Sequence, residues 1–181
     1  QFSDFPAVEC VAYFKNTGHA DTPIIADIRP LDALFPLARD RVCWVHHAKG
    51  SQCQHDDFAP LERLLRPGEE LSLASVGGRS SDGAMPFFNL EMGEVGIMGA
   101  IGWTGDWAAT FRRSAEGLRL RAGMQATHLK LHPGEEIRTP RIALLFWEQD
   151  CLRAHNLWRR FILAHHTPRP NGQLLQPPIA D

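Results

Sequence analysis

The sequence lacks a long apolar run. No stretch of about eighteen or more hydrophobic residues occurs anywhere in the 181 residues, so no membrane-spanning helix is expected. It also lacks a strong charge of either sign. The formal net charge is −2 with histidines neutral, which excludes the basic face of a general nucleic-acid binder. The first residues, Gln1, Phe2, Ser3, Asp4 and Phe5, show no basic segment followed by an apolar one. They do not read as a signal peptide, although a cleaved leader would leave the same start.

Cysteine is sparse. Cys10, Cys43, Cys53 and Cys151 fit no CxxC zinc spacing, and a disulfide framework in a chain of this length would use more of them. Free, mostly buried thiols are expected. The nine histidines are scattered, with His46-His47 and His165-His166 adjacent. Neighbours in a strand point to opposite faces, so neither pair forms a ligand set. No metal site and no cofactor are expected. Helical periodicity is scarce too, and that scarcity sets the fold class.

What is present is a series of short β-rich runs separated by turn residues. The runs cover residues 8–15, 24–34 (broken at Pro30), 41–47, 71–75, 95–103, 108–113, 118–122, 128–131 and 141–148. The run at 95–103 holds three glycines in nine residues. Each would cost a helix ~1 kcal/mol against alanine, so a tightly packed central strand is expected there. Residues 141–148 are continuously apolar, as in a strand buried on both faces. Residues 56–66 place Leu61, Leu64 and Leu65 at helical spacing after Pro60, and read as a short helix or an irregular loop.

One helix is convincing. Asp150 is placed to cap it, and Ala154, Leu157, Trp158, Phe161, Ile162 and His165 form a single apolar stripe. Thr167-Pro168 stops it. The expected architecture is mainly β, an antiparallel β-sandwich with one C-terminal helix. Residues 1–149 form the sandwich, 150–166 the helix, and 167–181, rich in proline, an extended linker.

The densest chemistry lies in residues 77–107. There a Gly-Gly-Arg-Ser-Ser turn precedes Pro86-Phe87-Phe88-Asn89, and the stretch closes on Trp103-Thr104-Gly105-Asp106-Trp107. Sugars present apolar C–H faces and many hydroxyls, so rings beside Arg, Asp and Asn suit them. Arg79, Asp82, Trp103, Asp106 and Trp107 are the substrate-binding candidates, with Ser80, Ser81 and Asn89 beside them. A tight turn and two core tryptophans would give the same sequence. Gly77-Gly78 does not read as a phosphate loop, since loop and strand follow it and no lysine does.

The ordered series GGRSS, PFFN, GIMGAIGWTGDW, HLKLHPGEEIRTPRI and NLWRRF resembles the N-terminal domain of α-galactosidase-like glycoside hydrolases of family 36, the melibiase group. The resemblance spans about residues 8–170. It implies a supersandwich-type domain preceding a (β/α)₈ barrel, on which a pair of aspartates hydrolyses a terminal α-galactoside. Such a barrel needs roughly 250 residues, so no catalytic residue is assigned here. The resemblance makes residues 150–166 a connector and 167–181 a linker towards the barrel. It implies a barrel of the same longer chain as partner, an α-galactoside as substrate, and contacts in a homo-oligomer. The alternative is a stand-alone carbohydrate-binding β-sandwich.

Overall fold

The computed structural model describes residues 1–175, and 14 strands and one α-helix occupy them. The strands are β1 (Ala7–Cys10), β2 (Tyr13–Lys15), β3 (Ile25–Ala26), β4 (Leu31–Pro36), β5 (Trp44–Ala48), β6 (Pro60–Leu64) and β7 (Glu70–Ala74). After these come β8 (Phe87–Glu91), β9 (Val95–Gly102), β10 (Trp107–Arg113), β11 (Gly117–Met124), β12 (His128–Leu129), β13 (Glu136–Arg138) and β14 (Arg141–Glu148). The helix is α1 (Cys151–His165).

A six-stranded sheet in the order β1-β14-β9-β8-β5-β6 faces a four-stranded sheet in the order β4-β11-β10-β7. Every pairing is antiparallel. Two ribbons, β3 with β12 and β2 with β13, complete the β structure. Alternation of side chains along each strand sets the two faces. Leu118, Leu120 and Ala122 of β11 point into the core, while Arg119 and Arg121 between them reach solvent and both meet Asp32. The inner faces of both sheets share one apolar cluster, in which Phe88 meets Phe111 edge to face at 5.0 Å.

The second cluster lies on the outer face of the six-stranded sheet. Ala154 and Phe161 of α1 press onto Met98, Ala143, Leu145 and Trp147, with Phe2 and Phe5 over Phe161. The strand β14 is therefore buried on both faces, which is why its sequence is continuously apolar. Asp150 caps α1 by accepting a hydrogen bond from the Arg153 N–H at 2.7 Å. The helix is thus part of the packed body.

Two segments depart from the sequence reading. Residues 60–64 form an edge strand paired with β5, not a helix or loop. Pro60 opens that strand, where its missing N–H costs no ladder bond, and Leu61 stays 38% exposed. Residues 87–91, outside the strands expected from the sequence, form β8 between β5 and β9. Of the linker expected over 167–181, residues 176–181 lie outside the described residues, and Pro170–Gly172 make one 3-10 turn. All four cysteines are free. Cys43 is buried, Cys10 and Cys151 are half-buried, and Cys53 is exposed, so buried thiols are fewer than expected. Burial pushes the Cys43 thiol up to about 11, which makes it inert.

Candidate functional site

Two consecutive glycines shape the 77–82 loop. Gly77 (φ 66°) and Gly78 (φ 75°) both sit in the left-handed region. That pair is the signature of a type I′ turn, and it folds Arg79 back to bridge Val76. Beyond it, the Arg79 guanidinium meets Asp82 Oδ2 at 2.6 Å. The Asp82 side chain is buried while Arg79 lies over it, 67% exposed.

The turn between β9 and β10 straps this loop down. Asp106 Oδ1 accepts the Gly78 N–H at 3.0 Å and the Ser75 hydroxyl at 3.3 Å. The Ser75 Oγ accepts the Trp107 N–H at 3.0 Å, and Trp107 Nε1 donates to the Ser80 carbonyl at 2.7 Å. Arg79, Asp82, Asp106 and Trp107 are thus brought into one hydrogen-bonded knot. Trp103 stands apart from it, half-buried, with the Arg138 guanidinium 5.7 Å from its ring centroid.

The chemistry available follows from this geometry. Asp82 is held by an arginine, and Asp106 is taken up by a backbone N–H and a serine, so both carboxylates perform structural tasks. Trp107 is 1% exposed and offers no ring face to solvent. Of the five candidates, Arg79 is exposed, Trp103 and Asp106 are half-buried, and Asp82 and Trp107 are buried. None of the five lines the two cavities, of about 600 and 630 Å³, that border α1.

The Asp82 carboxyl lies below its usual 3.8, first through the Arg79 hydrogen bond and next through the nearby Gln52 side chain. Gln52 completes no bond to Asp82 Oδ1, which is buried without a partner. A carboxyl depressed in the folded state contributes stability that is fully present above its unfolded value. That contribution is lost as pH falls through the lower folded value. Arg79→Ala is therefore expected to flatten the acid limb of a melting-temperature series below about pH 4. Superimposable acid limbs in the two proteins would contradict the assignment.

A second polar cluster sits on the other side of the six-stranded sheet, where α1 begins. His46 Nε2 meets Glu91 Oε2 at 2.8 Å, and His46 Nδ1 meets Glu62 Oε1 at 3.1 Å. The buried Asn89 donates from Nδ2 to Cys151 Sγ at 3.2 Å and accepts from Trp147 Nε1 at 2.8 Å. His46, Glu62, Asn89, Glu91 and Cys151 border a cavity of about 630 Å³ between α1 and strands β5, β6 and β8. Burial raises the Cys151 thiol, and Glu91 raises it further. Sequence reasoning noted His46 and Cys151 separately. It had no means of joining them, because their partners come from distant strands.

No protein-family model matches the sequence, and no curated protein is similar to it in sequence. Solved structures do match. The α-galactosidase from Lactobacillus brevis superposes with a TM-score of 0.71 at 15% identity, over 87% of this chain and 21% of that one. The family 36 α-galactosidase AgaA from Geobacillus stearothermophilus gives 0.65 at 19% identity, over 82% and 21%. The galactosidase domain of the α-galactosidase-sucrose kinase AgaSK gives 0.64 at 16%, over 80% and 20%. The chain spans about a fifth of the length of the α-galactosidases that it matches. The fold expected from the sequence resemblance is the fold found: this chain is a β-sandwich of the kind that makes up about a fifth of a family 36 α-galactosidase.

Proposed function

We propose that this chain is the non-catalytic N-terminal domain of an α-galactosidase-like glycoside hydrolase. It supports a (β/α)₈ barrel encoded in the same longer chain, and that barrel acts on an α-galactoside. The observation that carries this reading is the coverage. More than four-fifths of the chain superposes on only about a fifth of an α-galactosidase. The knot of Arg79, Asp82 and Asp106 supports it from the other side, since retaining hydrolysis needs two carboxyl groups free to flank one bond. Within this reading the 77–82 loop is a rigid projection. Arg79 on this loop, and Trp103 apart from it, shape substrate access at the barrel mouth or contacts between copies in an oligomer.

The 181-residue chain is expected to hydrolyse p-nitrophenyl α-galactoside no faster than buffer and to give no heat with galactose or melibiose in titration calorimetry. Turnover by the chain alone would overturn the reading. Saturable sugar binding would replace it with a stand-alone carbohydrate-binding module. In the longer enzyme, Trp103→Ala is expected to raise KM for an α-galactoside with melting temperature unchanged, and Arg79→Ala to raise KM together with a lower neutral-pH melting temperature from the lost Asp82 pair. Wild-type kinetics in both variants would remove the access role and leave the supporting one.

A further inference from the structure

We propose that His46, Glu91 and Cys151 form a zinc site that fastens the start of α1 to strands β5 and β8. The three side chains place one ligand-capable atom each within 4.8 Å of one another. An imidazole, a carboxylate and a thiolate are the donor set that zinc takes among divalent ions. With bond lengths of about 2.0–2.3 Å, tetrahedral ligand atoms stand roughly 3.3–3.6 Å apart. His46 Nε2 and Glu91 Oε2 at 2.8 Å need only part slightly, and Cys151 Sγ, within 4.8 Å of both, needs to move in by at most roughly 1–1.5 Å to complete that geometry.

The groups behind the ligands already stand where a metal site needs them. Metal-binding histidines ordinarily hand their other ring nitrogen to a carboxylate, which fixes ring orientation. His46 does this through Nδ1 to Glu62 at 3.1 Å. The Cys151 sulfur is aimed by Asn89, 2% exposed, which is itself held by the Trp147 indole. Cys151 is also the first residue of α1, which places its sulfur at the helix N-terminus beside strand β8. Charge points the same way. Glu62 and Glu91 line the adjoining cavity, and no lysine or arginine does. A bound dication would offset two of the three negative charges of these carboxylates and the thiolate, whose proton leaves to solvent on binding. The fourth position opens on the cavity and takes a water molecule. The sequence spacing could not reveal the site, because each ligand comes from a different element.

Zinc and cobalt(II) titrations of the purified, reduced protein test this. Zinc is expected to saturate at one ion per chain and to raise the melting temperature, because any ligand of the native state alone does so. Cobalt is expected to give a near-ultraviolet thiolate-to-metal band that Cys151→Ser removes and that Cys53→Ser, at an exposed cysteine, keeps. Glu62→Gln is expected to weaken zinc binding by about 10-fold through loss of His46 orientation. Glu62 is mostly exposed, so this variant reports on the site even if Cys151→Ser fails to fold. No saturable zinc binding, a cobalt band surviving Cys151→Ser or lost in Cys53→Ser, or unchanged affinity in Glu62→Gln would each overturn the site.

Discussion

Trp107→Ala is expected to lower the unfolding free energy by about 3–5 kcal/mol, the usual cost of emptying a buried aromatic site. Trp107 is among the largest fully buried side chains of the protein and belongs to the cluster between the two sheets. Its removal deletes ring contacts that neighbours on two sheets cannot close up together. It also frees the Ser80 carbonyl, so the 77–82 loop loses one of its ties. Trp107→Phe separates the two contributions. It keeps most of the ring volume and loses the indole N–H, and is expected to cost about 1 kcal/mol from the hydrogen bond plus whatever the smaller ring leaves unfilled. Domains of this kind are stable by only about 5–15 kcal/mol in total. The alanine variant should therefore unfold at a much lower urea midpoint with an unchanged slope. A loss below about 1 kcal/mol in the alanine variant would mean that the indole is not a core residue.

That result bears on how the 77–107 stretch is understood. From sequence alone, Trp103 and Trp107 were equivalent: two rings four positions apart around a glycine. The structure separates them by strand alternation. Trp107 opens β10 on the inward face shared by Ala109 and Phe111, while Trp103 stays in the preceding turn. A period of two can be read only once the strand's first residue is known, and here the boundary lay inside the motif. Strand content, the single helix with its Asp150 cap, and the central place of residues 95–102 were legible because each carries a local signal. The edge strand Pro60–Leu64 was not, since a half-exposed edge need not alternate. The strand Phe87–Glu91 was hidden for the opposite reason: Phe88, Asn89 and Leu90 are all buried, Asn89 by its bonds to Trp147 and Cys151. Its polar residue interrupts the apolar run, although Asn89 is itself buried, 2% exposed. The candidate site was legible in its parts and not in its roles. Arg79 and Asp82 were picked as ligand-facing groups, and their bond to each other is a contact that no spacing argument supplies.

The glycines of β9 carry the second large prediction, and its sign discriminates between two explanations. The sequence reading expected a tightly packed central strand and, as the neighbour coming close to its glycines, another backbone. In the structure it is an aromatic ring from the neighbouring strand, directly opposite in register. Gly99 pairs with Phe88, and Gly96 with Trp147. A Cβ on Gly99 would stand 2.1 Å from Phe88 Cζ, and one on Gly96 would stand 2.2 Å from the Trp147 ring and 2.3 Å from the Leu90 carbonyl oxygen. Propensity alone favours alanine over glycine in a strand interior by about 0.5–1 kcal/mol. Overpacking opposes it with about 1–3 kcal/mol, and more where neighbours cannot give way. Phe88 is wedged against Phe111, and the carbonyl at Gly96 is backbone, so neither yields cheaply. Gly96→Ala and Gly99→Ala are each expected to destabilise the protein by about 3 kcal/mol, at the upper end of that range. At Gly99 a double-mutant cycle locates the cause. Phe88→Ala by itself costs about 3–5 kcal/mol, but adding Gly99→Ala to it should cost little, leaving a coupling energy of about 3 kcal/mol. Stabilisation by either alanine, or strictly additive effects at Gly99, would show that the rings do not rest on these glycines. At Gly96 the consequence reaches further. Displacing Trp147 removes the bond that holds Asn89, and with it the group that aims Cys151 at the start of α1.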